Sequence, residues 1–427
     1  MKILLSVLLT SSLLPGVTFF AQDATASPGL PKSTLCETGV FRKDKTTFVA
    51  LTKTDKGFSY TFNDGIVGNM QDAGTILKCE KNAVLIEGKG HWPKVAIAEF
   101  NTRFVSNGVM LAGRLMVPPD ATKNTPLVVY AHGSESTGWI DRARDPYQMV
   151  VRGVSVFIYD KRGTGLSSGE YTQNFPQLAD DLVAASHEAK RLAEGQFGRF
   201  GLIGLSQGGW IVPLAAARAK AEFLGIGYGL VVDITEQDAA QVTKELRDRG
   251  YDDDVIAKAS KVTNITAKIA KSRIKEGLEE LAGVQNQFGK EAWFSGIKGG
   301  YSGVLVSMSV DDLRHHGVPQ FDKLNIDWSI NPMQVLSNVD APQLWVFADE
   351  DRQAPGALTL ERLTSLRKQG RDITIYRFPN TDHGMREYEE AKDGVRKHTR
   401  VTPGFYDLMA DWAKGQRGEK YAKAYRE

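Results

Sequence analysis

Six short apolar runs constrain the fold of this chain more than any other feature. They are PLVVYAHG, VSVFIYD (Val154–Asp160), FGLIGLS (Phe200–Ser206), FLGIGYG (Phe223–Gly229), QLWVFAD (Gln343–Asp349) and ITIYRF (Ile373–Phe378). None alternates apolar with polar, so each fits a strand covered on both faces better than one with a wet face. The spacers are long enough for helices, and in FPQLADDLVAASHEAKRLAEG the residues Leu178, Leu182, Ala185 and Ala189 recur near the helical period. Buried strands alternating with amphipathic helices predict an α/β architecture with a doubly wound, mostly parallel sheet.

The rhythm breaks between Gly229 and Gln343, where AAQVTKELRDRGYDDDVIAKAS and AKSRIKEGLEELAGVQNQFG supply charge and helix formers but no buried strand. A structureless loop of that length does not suit a compact domain, so 232–335 is expected to be a helical cap insertion over the carboxyl edge of the sheet. It divides a core of 101–231 and 336–427. Upstream, TTFVALTKT, GFSYTF, the Asp64-Gly65 turn and AVLIEG predict a small β-rich N-terminal region over 27–100. Asn107-Gly108 between two alternating runs predicts a hairpin at the entry to the core. The final AKGQRGEKYAKAYRE reads as a solvated tail.

Residues 1–26 read as a secretory signal peptide: Lys2 precedes an apolar run, Pro15-Gly16 breaks it, and Ala24-Thr25-Ala26 offers a small-x-small cleavage pattern. A membrane span needs about 20 uninterrupted apolar residues, and this run has fewer. The expected protein is periplasmic or secreted, cleaved near Ala26, with no membrane span afterwards. Lys and Arg total 53 against 51 Asp and Glu, so the net charge of +2 supplies no field to recruit nucleic acid or an acidic membrane. That leaves small-molecule chemistry. The two cysteines, Cys36 and Cys79, are expected to form a disulfide in an oxidising compartment, with two unrelated buried thiols as the alternative.

The apolar run at Phe200 ends in Gly204-Leu205-Ser206-Gln207-Gly208 and leads into QGGWIVPLAAARAKAE. With 42 glycines in the chain the five-residue pattern alone is weak. A strand before it and a helix after it are the setting of a nucleophile elbow, where glycines permit the tight turn that projects Ser206. A serine needs a base, and the base an orienting acid. Of seven histidines, His383 in FPNTDHGM follows the last core strand and is the expected base. His187 and His398 fall in predicted helices, His132 reads as structural, and His315-His316 shows no metal-ligand spacing. No metal or cofactor is implied. For the acid, Asp351 in WVFADEDRQAP lies beyond the strand end, with Asp349 as the alternative. The oxyanion donors are expected to be the amides of Gln207 and Ser134.

Taken together, YAHGSESTGW, YDKRGTGLSSG, GLSQGGW, FADEDRQAP and PNTDHGM resemble, in this order, the α/β-hydrolase superfamily, and within it the serine aminopeptidase S33-like and small-ester esterase branches. The similarity spans about 101–415. It implies a triad at Ser206, Asp351 and His383, oxyanion donors at Ser134 and Gln207, and scaffolding roles for Asp160 and Arg162. Ala348 stands where the family often has glycine, and the cap matches no assigned segment, so substrate class does not carry over. The function this reading implies is an exported serine hydrolase acting on a carboxylic ester through an acyl-enzyme. A short-peptide substrate, cleaved by an S33 or prolyl-oligopeptidase-related route, is the alternative, and a non-catalytic binding protein a third. Trp293, Phe294 and Tyr301 are expected to shape the pocket from the cap, with Trp139 and Trp210 near the oxyanion segments.

Overall fold

The computed structural model describes residues 36–392 and 394–427, so the leader assigned to 1–26 lies outside the described residues. The six apolar runs form strands of a nine-stranded sheet. Its strands are β1 (Ala98–Ser106), β2 (Val109–Val117), β3 (Leu127–Ala131), β4 (Ser155–Tyr159), β5 (Phe200–Leu205), β6 (Phe223–Gly227), β7 (Gln343–Ala348), β8 (Ile373–Phe378) and β9 (Tyr425–Arg426). The spatial order is β9-β8-β7-β6-β5-β3-β4-β2-β1. The strands from β3 to β8 run parallel, and β1, β2 and β9 add antiparallel edges. The β1–β2 hairpin turns at Asn107-Gly108, both with positive φ, 46° and 77°.

Helices cover both faces, which is why the central strands carry no polar stripe. On one side α2 (Phe175–Ala193), α3 (Gly208–Ala215) and α7 (Ala357–Lys368) pack against Leu127, Val129, Phe157 and Leu202. On the other, α1 (Asp145–Val150) and α8 (Phe405–Lys414) pack against Val128, Val156, Ile203 and Val346. The sheet order reverses beside β3, whose neighbours are β4 and β5. Loops leaving β3 and β5 therefore diverge at the carboxyl edge, where open α/β sheets bind their ligands.

Between β6 and β7 the chain is helical, with α4 (Ile234–Asp248), α5 (Asp253–Lys271), α6 (Leu278–Phe288) and shorter turns to Ser337. These helices own a separate apolar core that includes Val262, Leu281, Trp293 and Phe294. Trp293 and Phe294 are 2% and 5% exposed, so they stabilise this segment and do not line a pocket as expected. The acidic run at 252–254 is a helix start: the Asp252 carboxylate accepts the Val255 N–H at 3.0 Å.

The N-terminal region forms a four-stranded and a three-stranded sheet around Phe41, Leu51, Phe62, Leu77 and Trp92. Cys36 and Cys79 are joined by a disulfide that ties the start of this region to the second sheet. The C-terminal stretch is not a plain solvated tail, because Tyr421 is 4% exposed in the core and Tyr425–Arg426 hydrogen-bonds to the β8 edge. His398 lies on a β-hairpin of Arg386–Glu390 with Arg396–Val401, not on a helix, because cross-strand pairing of alternating side chains outweighs the charge pattern.

Candidate active site

Ser206 follows β5 directly and has φ of +51°, a left-handed conformation that costs a serine about 1–2 kcal/mol. The surroundings hold it there. Its N–H donates to the Gly227 carbonyl at 3.0 Å, and its own carbonyl accepts the Gly209 N–H at 2.8 Å as α3 begins. The flanking glycines are required by close approach: a Cβ on Gly204 would lie 2.4 Å from the Gly208 carbonyl oxygen, and one on Gly208 would lie 2.3 Å from that of Ala131.

His383 sits on the loop after β8, in a turn closed by reciprocal backbone hydrogen bonds between Asp382 and Arg386 at 2.8 and 3.1 Å. Its Nε2 is 3.1 Å from Ser206 Oγ and its Nδ1 is 2.8 Å from Asp351 Oδ2. Asp351 is 2% exposed, and its second oxygen accepts the Ala354 N–H at 2.7 Å, so the carboxylate has a single orientation. Asp349 points elsewhere, bonded to Arg377 at 2.8 Å and Tyr425 at 3.1 Å. Asp382 supports the loop from below: burial opposes its charge, but His398, the His383 amide and Arg396 hold its carboxyl far below the usual range. The Tyr228 ring meets the His383 ring edge-on at 5.0 Å.

The structure brings Ser206, Asp351 and His383 together from three separate strand ends. Gln207 is 3% exposed at the start of α3, and Ser134 lies on the loop after β3, where a Cβ on Gly133 would touch the Ser206 Cβ at 3.6 Å. Among the described residues the Ser134 and Gln207 backbone N–H groups have no hydrogen-bond acceptor, although both sit in a region dense with polar contacts.

Behind this loop lies a buried polar cluster that sequence reasoning only partly anticipated. His132 stacks on Trp139 at 4.6 Å, and its Nδ1 lies 3.2 Å from Glu135. Burial first, and Lys161 second, lower the His132 pKa, against the pull of Glu135. Burial would raise the Glu135 carboxyl, but His132 and Lys161 bring it down to about 2. Asp160 accepts the Trp139 and Ile140 amides, and Arg162 forks onto the buried Asp181, matching their scaffolding reading. Trp139 is 8% exposed within this packing, and Trp210 stacks on Phe175 at 5.3 Å. Lys161, Tyr171 and Gln173 were not singled out from the sequence; the only signal was an unexplained lysine within the Asp160–Gly163 turn.

The helices after β6 reach both sides of the site. The Leu324 carbonyl accepts the Gln173 N–H at 2.7 Å, and Asp248 of α4 accepts Arg352 Nε at 2.7 Å, one residue past Asp351. Among the described residues no cluster of His, Cys, Asp or Glu is placed to hold a metal ion, and no helix is long and apolar enough to cross a membrane.

Residues 122–230, which include the elbow and the oxyanion segment, match the family model described as serine aminopeptidase, S33. No curated protein matches the chain. Among solved structures, an esterase from Pyrococcus furiosus is 14% identical with a TM-score of 0.42, covering 67% of this chain and 84% of its own. An acylaminoacyl peptidase from Pyrococcus horikoshii is 15% identical with a TM-score of 0.40, covering 79% of this chain. This chain spans only 44% of that longer protein.

Proposed function

We propose that this chain is a serine hydrolase of the α/β-hydrolase superfamily that cleaves carboxylic esters through an acyl-enzyme on Ser206. The observation that carries this reading is the continuous contact from Asp351 to His383 to Ser206, at 2.8 and 3.1 Å. His383 Nε2 takes the hydroxyl proton as Oγ attacks the ester carbonyl, and the buried Asp351 stabilises the resulting imidazolium. The carbonyl oxygen becomes an oxyanion that accepts hydrogen bonds from the Ser134 and Gln207 amides. Collapse breaks the bond to the alkoxy oxygen, which leaves as alcohol with the proton from His383. Water, deprotonated by the same ring, then hydrolyses the acyl-enzyme and regenerates Ser206.

Hydrolysis of p-nitrophenyl esters from acetate to palmitate, with Ser206→Ala beside the native chain, tests this. Cleavage lost in the variant supports the reading; equal cleavage by both, or none by the folded native chain, contradicts it. The S33 match favours a second reading, hydrolysis of a short peptide, tested with aminoacyl p-nitroanilides. The acidic run at 252–254 gives that reading no amine subsite, since Asp252 caps α5 and Asp253 pairs with Arg247 at the surface. A non-catalytic binder would stay unlabelled by a fluorophosphonate. The disulfide and the leader-like 1–26 segment together support a periplasmic or secreted location.

A further inference from the structure

An oxyanion site is built from peptide planes. In a planar trans peptide the C=O of one residue and the N–H of the next point in opposite directions. The Gln207 N–H is therefore aimed by whatever holds the Ser206 carbonyl, and the Ser134 N–H by whatever holds the Gly133 carbonyl. The first is held locally, by the Gly209 N–H at 2.8 Å. The second is held from 28 residues away, by Lys161 Nζ at 2.6 Å.

Lys161 is 2% exposed, and burial lowers its pKa to about 8 against the pull of Glu135. An ammonium is costly to bury, and among the described residues the Gly133 carbonyl is its only hydrogen-bond acceptor. Its cation also lies 5.2 Å from the centre of the Tyr171 ring. The Tyr171 hydroxyl donates to the Ser134 carbonyl and accepts from Gln173 Nε2, and Gln173 Oε1 accepts from Gln207 Nε2. A chain of three hydrogen bonds thus runs from Ser134 to Gln207, and the Gln173 backbone is anchored to Leu324 of the helical segment.

We propose that Lys161 and Tyr171 are positioning residues that aim the Ser134 amide and fix its distance from the Gln207 amide. The proposal rests on Ser206 as nucleophile. Neither side chain needs to touch the substrate: Lys161 sets the tilt of the Gly133–Ser134 peptide plane, and Tyr171 ties the next plane, through the Ser134 carbonyl, to the elbow.

The test uses Lys161→Met and Tyr171→Phe in the full chain, with p-nitrophenyl acetate as substrate and a fluorophosphonate as active-site titrant. Both variants are expected to lose about 10- to 100-fold in kcat with KM within about twofold, since displaced donors weaken the transition state more than the bound ester. The titrant should still label every molecule, but more slowly by a similar factor, because its phosphoryl oxygen meets the same two amides. Full labelling with unchanged rates in both variants overturns the proposal. So does a reduced labelled fraction whose turnover per labelled site stays native, which would mark a purely structural role. If Lys161→Met does not fold, Tyr171→Phe decides alone, since it removes one oxygen and no charge. A native chain that takes no label on Ser206 fails the nucleophile reading itself, an outcome distinct from the two above.

Discussion

Two glycine-to-alanine changes should act in opposite directions, and the structure supplies both magnitudes. In Gly208→Ala the new Cβ would start 2.3 Å from the Ala131 carbonyl oxygen, where ordinary contact begins at 3.4 Å, so elbow and strand must part by about 1.1 Å. That oxygen belongs to backbone at the end of β3, which cannot swing aside as a side chain would. The displacement moves the Gln207 amide away from the loop carrying Ser134, and a shift near 1 Å in an active site costs about 100-fold in rate. Forced overpacking adds about 1–3 kcal/mol of destabilisation. In Gly283→Ala, on the exposed face of α6, the new Cβ meets nothing within 4 Å. There the methyl only restricts the unfolded chain and improves helix propensity, for a gain of about 0.5–1 kcal/mol. The assay is p-nitrophenyl ester turnover with urea denaturation for each variant. Gly208→Ala working within threefold of the native rate would refute the steric reasoning, as would a clear loss of stability in Gly283→Ala.

Asp351→Asn should lower kcat by about three to four orders of magnitude, as loss of a triad acid does in the serine proteases, while Asp349→Asn stays within a few-fold because Asp349 serves Arg377 and Tyr425. Steady-state kinetics of the pair decide it, and the reverse ranking would move the acid to Asp349. Asp238 of α4 is fully buried, and burial outweighs its hydrogen bonds to Ser302 and neighbouring amides, raising its pKa to about 6. A folded pKa above the unfolded value near 4 means a contribution that is complete below pH 4 and lost as pH rises through 6. Asp238→Asn should therefore gain stability relative to the native chain between pH 4 and pH 8, on the order of 3 kcal/mol, in paired urea titrations. A difference independent of pH would show that Asp238 does not titrate in this range.

Much of the site was legible because its parts are local. A strand, a tight glycine-flanked turn and a helix follow one another within Phe200–Ala215, so the elbow is written in consecutive residues. The strand runs were equally legible, because burial on both faces leaves an unbroken apolar signature. The β9 edge was not, since Lys420 to Glu427 carries the charge of a tail and pairs with β8 through backbone groups that have no sequence signature. The same limit hid the true position of Trp293 and Phe294: an aromatic pair on a short helix reads alike whether it faces a pocket or the core of its own segment.

By itself, then, the sequence determined the α/β class and singled out a candidate elbow serine, a candidate base and a short list of candidate acids, because each follows from residue type and near-neighbour spacing. The sequence preferred Asp351 to Asp349 only for its place beyond the strand end; the tertiary structure supplied the contacts that separate the two, which lie two residues apart after β7. The distinction depends on which carboxylate meets a ring carried by a different strand, at a sequence separation of 32 residues. The tertiary structure alone also revealed Lys161 and Tyr171: the direction of the Ser134 N–H is fixed by what the Gly133 carbonyl meets, which is Lys161 from 28 residues away, and the next carbonyl, that of Ser134, is held by Tyr171 from 37.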